Sequence, residues 1–333
     1  MRVAVLGATG LVGSEMVKVL EERAFPVDDL VPLASERSAG RQVIFKGRPY
    51  VVRAVEESAF EGIDVALFSA GSGPSRKWAP VAASKGAVVI DNSSAWRMEE
   101  DVPLVVPEVN PHALDKHKGI IANPNCATIQ ALVALKPLHD AFGLKSIQVV
   151  TFQSVSGTGL RALDELKEDS KAVLEGDPPT CELYPKPIAF NVLPHIGKID
   201  EKGISEEEYK MMNESRKIME LSNLAVSCTA VRVPVFRGHS EAVVATFEKD
   251  PSLQNAIEAL SKAPGVSLTE DPLYSYVVPS EVEGKDPVFV GRIRKEPSPE
   301  NSLSFWVVAD NIRKGAALNA VQIAEELIKR ELL

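Results

Sequence analysis

A short apolar strand ending at Leu6 runs directly into Gly7-Ala8-Thr9-Gly10-Leu11-Val12-Gly13, and then into an amphipathic helix that reaches about Arg23. Few folds accept that order. Glycines at this spacing let the backbone turn tightly and approach a phosphate closely, and the helix N-terminus that follows attracts negative charge. The spacing alone is common, and its place between a first strand and a first helix is what gives it weight. It predicts a strand–turn–helix unit that opens a parallel sheet and carries a dinucleotide pyrophosphate over the turn.

The next hundred residues repeat the alternation. Leu30 to Ala34 is apolar and ends in Ser35-Glu36-Arg37-Ser38-Ala39-Gly40, where a dinucleotide ribose is usually read. Arg37 with Ser35 and Ser38 suits a 2′-phosphate, hence NADP. Glu36 suits the 2′-hydroxyl of NAD instead. Strands are expected at Tyr50–Val55, Val65–Ala70 and Val88–Ile90, with a helix at about Pro74–Lys85. This pattern predicts a doubly wound parallel sheet. Two strand ends carry polar loops, Ala70-Gly71-Ser72-Gly73 and Asp91-Asn92-Ser93-Ser94-Ala95-Trp96-Arg97. Ligands gather at that edge of an open sheet, so Arg97 reads as an anion contact or as a loop cap.

A further apolar run, Gly119–Ala122, enters Asn123-Pro124-Asn125-Cys126-Ala127-Thr128, and a helical pattern follows through Leu138. Asn125 is a good N-cap, which puts Cys126 at about the first helical position. Unpaired N–H groups and the helix dipole there favour a thiolate, the nucleophilic form. A core-filling cysteine has no need of such a position.

Beyond it, Lys145–Phe152 alternates and ends in Gln153-Ser154-Val155-Ser156-Gly157-Thr158-Gly159. Leu160–Leu174 is helical. A proline-rich stretch from Asp177 to Gly197 is too long for a plain connector and reads as a dimer contact or a domain cover. Ser205–Leu221 is a helix opened by a capping box of Ser205 and Glu208. Taken alone, Glu207, Lys210 and Glu214 form a solvated helix face. Ala225–Val235 and Glu241–Glu248 alternate, and Phe236–Ser240 joins them like a hairpin, bracketed by Arg232 and His239. Ser252–Ala263 is expected as a helix, Pro287–Arg294 and Leu303–Val308 as strands, and Lys314–Leu332 as a long helix that returns to the nucleotide domain, with Asn311 and Gly315 at its start. This second half reads as an α+β domain of antiparallel strands and helices. Two domains result: residues 1–125 completed by 314–333, and residues 126–313.

Composition removes other function classes. A chain of 333 residues with net charge -9 is a poor partner for nucleic acid or a membrane surface. Its three cysteines, Cys126, Cys181 and Cys228, are too few and too far apart for a disulfide framework or a metal site, and fit a reducing, cytoplasmic setting. No run approaches the roughly 18 apolar residues of a membrane span.

The motifs in order resemble one family, the aspartate-β-semialdehyde dehydrogenases. GATGLVG, SERSAG at 35–40, DNSSAWRM at 91–98, NPNCAT at 123–128, QSVSGTG at 153–159, AFNVLPHIG at 189–197, RVPVFRGHSE at 232–241 and DNIRKGAALNAVQ at 310–322 carry the likeness. The resemblance implies a Rossmann-type NADP domain plus an α+β catalytic and dimerisation domain, in a homodimer or homotetramer. It implies Cys126 as the nucleophile, His239 as general acid and base, and Gln153 as the residue orienting a thioester. Arg232 would clamp the substrate α-carboxylate, and Glu207 would meet its amine. Arg97 and Lys210, with Asn125 nearby, would hold phosphate. Gly7, Thr9, Gly10, Leu11, Val12, Arg37, Ser38, Ser156, Gly157 and Asn311 would contact NADP, and no metal is implied. The implied reaction is reduction of L-aspartyl-4-phosphate to L-aspartate-4-semialdehyde with release of phosphate, in amino-acid biosynthesis. An N-acetyl-glutamyl-phosphate reductase would use the same cysteine, histidine and cofactor. A catalytically silent relative that binds a nucleotide or a partner protein is the alternative of another class.

Overall fold

The computed structural model describes residues 1–333. The chain forms two compact units, residues 1–125 with 315–333, and residues 126–314.

The first unit is built from β1 (Arg2–Leu6), α1 (Leu11–Glu22), β2 (Asp29–Ala34), β3 (Gln42–Phe45), β4 (Arg48–Val51), β5 (Arg53–Ala54), β6 (Val65–Phe68), α2 (Ser72–Ser84), β7 (Val88–Asp91) and β8 (Ile120–Ala122). Six strands form one parallel sheet in the order β5-β2-β1-β6-β7-β8. Chain order reverses between β1 and β6, which makes the sheet doubly wound. Both faces are covered, so the strands are apolar throughout. Val3, Val5, Val65 and Leu67 enter one core, and Ala4, Leu6, Ala66 and Phe68 the other. The glycine turn is dictated by backbone clearance. Gly7 has φ +89°, and a Cβ there would lie 2.3 Å from the Ser69 carbonyl oxygen. A Cβ on Gly13 would lie 2.1 Å from the Gly7 carbonyl oxygen.

One expected strand is corrected here. Tyr50–Val55 splits in two: β4 pairs antiparallel with β3, and only β5 joins the main sheet, beside β2. The cause is the turn between β3 and β4, where Lys46 at φ +50° and Gly47 at φ +72° have the left-handed pair that closes a tight hairpin.

The second unit contains α3 (Cys126–Phe142), β9 (Leu144–Gln153), α4 (Leu160–Glu175), α5 (Glu206–Met219), β10 (Ala225–Arg232), β11 (His239–Phe247), α6 (Leu253–Ser261), β12 (Val266–Leu268), α7 (Pro279–Val282), β13 (Val288–Glu296) and β14 (Ser302–Ala309). Its sheet runs β10-β9-β11-β14-β13-β12. It is mixed rather than antiparallel, since β9 with β10 and β12 with β13 are parallel. The expected hairpin of β10 and β11 does not form, because β9 lies between them and pairs with both. Helices α3, α5 and α6 pack on one face. Along β9 and β11 the residues of that face are buried, whereas Gln148, Val150 and Ala242 on the other are exposed. The 177–197 stretch is stapled to α4: Asp169 accepts from the Thr180 N–H and hydroxyl at 2.8 and 2.9 Å, and Glu165 accepts from the Leu183 N–H at 2.8 Å.

The final helix is shorter than expected. Residues Arg313–Ala317 form a wide π turn, and α8 (Leu318–Lys329) follows. Leu318, Val321, Ile323, Ala324 and Leu327 of α8 enter the core of the first unit beside Met16 and Leu20 of α1. Arg23 of this unit grips Glu325 through two hydrogen bonds, at 2.7 and 2.8 Å.

Candidate active site

Register brings the polar residues of the second unit to one sheet edge. β9 and β10 run parallel and end side by side at Gln153 and Arg232. β11 runs the other way and starts there with His239, beside the same end of β9. Three strands therefore deliver three of the candidate side chains to one sheet edge. Cys126 is the first residue of α3, and Gln153 Nε2 lies 4.0 Å from its sulfur.

Gln153 is almost wholly buried and anchored on both sides. Its Nε2 donates to Glu207 Oε1 at 3.0 Å, and its Oε1 accepts from the Thr151 hydroxyl at 3.1 Å. Glu207 also accepts from Lys210 Nζ at 2.8 Å, one turn further along α5. The expectation of a solvated face on α5 is therefore overturned. Glu207 and Glu214 are buried, and Lys210 is half-buried. The reason is the position of α5 against β10, which turns these positions toward the sheet. The capping box fixes where the helix starts: Ser205 Oγ accepts from the Glu208 N–H, and Glu208 Oε2 accepts from the Ser205 N–H at 2.7 Å.

His239 is fully buried, and its surroundings settle its protonation. The Ser154 N–H donates to Nδ1 at 3.0 Å. A backbone N–H only donates, so Nδ1 is the acceptor and the neutral ring carries its proton on Nε2. Burial, reinforced by the nearby Arg232 charge, lowers the pKa of the ring to about 3. Nε2 has no hydrogen-bond partner. It faces Gly157, where a Cβ would meet it at 3.6 Å and would meet Arg232 Nη1 at 3.2 Å. Imidazole and guanidinium thus converge on the same glycine. Arg232 Nη1 donates to the Ser154 carbonyl at 2.6 Å, and Leu193 pairs with the Arg232 backbone.

Asp310, to which the sequence assigns no role, and its neighbour Asn311 hold this edge in shape. Asp310, fully buried, receives Arg237 at 2.9 Å and the N–H groups of Gly284 and Ile312 at 2.7 and 3.0 Å. Asn311 accepts from the Gly238 N–H at 2.9 Å and the Ser154 hydroxyl at 3.1 Å, and Ser156 Oγ is bonded to it as well. The Asn311 and Ser156 side chains, expected to meet a cofactor, thus bond to the chain itself. Gly157 beside them is exposed. Of the other histidines, His139 accepts the Leu144 N–H at 3.0 Å and His117 the Gly119 N–H at 3.2 Å, so both serve backbone turns.

The first unit carries the remaining candidates. Gly7, Thr9 and Gly10 lie in the turn between β1 and α1, and Leu11 and Val12 open the helix, at the carboxyl ends of the strands where chain order reverses. That cradle, made of glycines whose Cβ positions are occupied by backbone and opening a helix N-terminus, fits a dinucleotide pyrophosphate. Arg37 and Ser38 lie in a short turn after β2, with Arg37 exposed. Arg97 is buried, donating to the Asn123 carbonyl at 3.0 Å and the Asn92 carbonyl at 2.8 Å. Asn123 is gripped in turn by Asn319 of the final helix, at 2.7 Å. Asp91 is fully buried, and desolvation raises its pKa despite a 2.6 Å hydrogen bond from Ser93. Asn125, also buried, is the last residue of this unit before α3.

Residues 2–117 match the semialdehyde dehydrogenase NAD binding domain family, and residues 135–314 the semialdehyde dehydrogenase dimerisation domain family. An aspartate-semialdehyde dehydrogenase of Aquifex aeolicus is 56% identical, with 100% of this chain and 99% of that protein aligned. One of Shewanella violacea is 51% identical over 98% of this chain and 97% of that protein. Among solved structures, aspartate semialdehyde dehydrogenase II of Vibrio cholerae, complexed with ASA, superposes with TM-score 0.96 at 46% identity, covering 98% of both chains. These matches favour neither the N-acetyl-glutamyl-phosphate reductase nor the silent relative.

Proposed function

The chain belongs to the aspartate-semialdehyde dehydrogenase family, and from that premise we infer that it reduces L-aspartyl-4-phosphate to L-aspartate-4-semialdehyde with NADP as cofactor. The observation that carries the reading is Cys126 at the first turn of α3, within 4.0 Å of Gln153, at the sheet edge shared by Arg232 and His239.

The roles follow from side-chain chemistry. Cys126 attacks the acyl carbon; a C–S bond forms, the C–O bond to phosphate breaks, and the electron pair leaves with phosphate. Splitting the reduction through a thioester replaces one hard step with two easier ones. Gln153, fixed by Thr151 and Glu207, holds the thioester in place. Arg232 meets the substrate α-carboxylate with two parallel N–H donors, a fit that lysine lacks. Glu207 takes the substrate amine. Arg97 and Lys210, with Asn125, receive the departing phosphate. When bound, NADP in its reduced form supplies the hydride. The Nε2–H of His239 shares its proton with the thiohemiacetal oxygen as that oxygen gains charge, and recovers it fully as the carbonyl forms and Cys126 leaves as thiolate. The glycine cradle after β1 supports a pyrophosphate at Gly7–Val12, and Arg37 with Ser38 supports the 2′-phosphate of NADP. The Ser156–Gly157 turn and Asn311 complete that assignment.

A homodimer is the second part of the reading. Helices cover one face of the mixed sheet, and the other displays Val150 and Ala242 to solvent beside the half-buried Phe152, Val244 and Trp306. A sheet face of this width and apolarity suits a second copy of the chain. Reductive biosynthesis of this kind belongs to the cytoplasm, and no helix is long and apolar enough to cross a membrane.

The test is phosphate-dependent reduction of NADP with L-aspartate-4-semialdehyde. The parent should turn over and Cys126→Ser should not. Equal rates for the two proteins, or a preference for N-acetyl-glutamate semialdehyde, would discard the assignment.

A further inference from the structure

A buried acid that the chemistry above does not use lies behind His239. Glu241 is two residues along β11, on the same face of the sheet, opposite Thr151 of β9 and Val307 of β14. It is completely buried, and neither carboxyl oxygen has a hydrogen-bond partner. Desolvation pushes its pKa well above the ordinary carboxylate range. Its surroundings are acidic too: burial first, and then Glu241 with Glu208 and Glu207 of α5, push the Cys228 thiol of β10 up, and it stays neutral. The amide of Gln130 adjoins the carboxyl and pulls its pKa back down, but burial outweighs that pull.

Gln130 is fully buried on α3, one helical turn after Cys126 and on the same side of the helix. Its Nε2 donates to the His239 carbonyl at 3.4 Å. Its Oε1 accepts from nothing. Two orphans therefore adjoin, an amide oxygen that needs a donor and a carboxyl that needs a partner. Ionised Glu241 has no proton to offer; the neutral acid has one, and giving it to Gln130 satisfies both groups.

We propose that Glu241 is a positioning residue: as a neutral carboxylic acid it donates to Gln130, which donates to the His239 carbonyl, and the chain ties the helix turn presenting Cys126 to the strand end presenting His239. The proposal rests on the reading of Cys126 and His239 as nucleophile and acid–base pair. The buried links set the approach of those two groups, and neither touches substrate or cofactor. Its loss therefore falls on the chemical step.

Steady-state kinetics of the full chain tests it. Glu241→Gln, still a donor, keeps kcat within about twofold, whereas Glu241→Leu, of similar bulk and without a donor, loses roughly ten- to hundredfold in kcat, the scale of a small misplacement of reacting groups. KM and the affinity for NADP stay within about twofold in both, because binding groups are untouched. Gln130→Leu gives the same loss, and the double leucine variant is no worse than the poorer single one, as links of one chain require. If Glu241→Leu does not fold, Gln130→Leu carries the same expectation. An unchanged kcat in the leucine variants, a Glu241→Gln protein as impaired as Glu241→Leu, or losses that multiply in the double variant would overturn the proposal. Cys126→Ser is the companion measurement. If it is inactive while the leucine variants are normal, the linkage alone fails; if it is active, the underlying assignment fails.

Discussion

Arg232 and His239 show how much of this site is decided at single atoms. Arg232 is buried, and one of its nitrogens is committed to the Ser154 carbonyl. Substituting Lys removes the planar fork. Arg232→Lys should raise KM for the semialdehyde about ten- to hundredfold, roughly 1.4–2.7 kcal/mol, with NADP affinity unchanged. Initial-rate kinetics with a separate cofactor titration checks both halves. His239 makes a second prediction, about pH. Folding lowers its pKa from about 6.5 to about 3, so below pH 6.5 the unfolded chain binds a proton that the native ring refuses. The stability contribution is complete above pH 6.5 and fades as pH falls toward 3; at pH 5 the loss is about 2 kcal/mol. Urea melts at pH 8 and pH 5 should show that loss in the parent and not in His239→Gln. At this scale the sequence was informative where a residue has a local reason to be where it is. Cys126 follows a strand and an N-cap residue, and no core position asks for that. Glu241 was missed, although its signal was present: His239, Glu241, Val243, Ala245 and Phe247 share one phase of an alternating strand, and an acid in the buried phase is out of place.

Elements reach the site through register and caps. The ends of β9 and β10 and the start of β11 coincide because β9 is inserted between two strands that follow each other in sequence. Alternation of apolar residues reveals strands but not their neighbours, which is why a hairpin was expected where none forms. Tyr50–Val55 failed for the opposite reason: the left-handed pair at Lys46 and Gly47 folds residues 48–51 back onto β3, and the one continuous β pattern divides at Val52 between two sheets. Helix α5 was legible to its first residue, because the capping box is a local signature. Its buried acidic face was not, because that depends on β10 being beneath it. Glu208 serves both purposes: one oxygen closes the box, and the other accepts the Ala230 N–H of β10 at 3.1 Å. Ser205→Ala should therefore cost about 1 kcal/mol of stability. Chemical denaturation should show a lower midpoint with an unchanged slope.

The whole molecule is two units drawn from one chain, and the open sheet face of the second invites a copy of itself. Val150 stands near the middle of β9 on that face and is exposed in the single chain. Val150→Glu would place a charge inside the contact, so sedimentation should show a dimer for the parent and a monomer for the variant at equal concentration. A dimeric variant would move the contact elsewhere.

The helix α8 has its own consequence. Its apolar side fills the core that β1 and α1 began some three hundred residues earlier. On a ribosome, the opening strands wait with a groove along one flank while the whole intervening unit is synthesised. The first unit gains its last wall only when residues 318–329 emerge, so a chain cut short before them carries a complete glycine turn on a scaffold that cannot close.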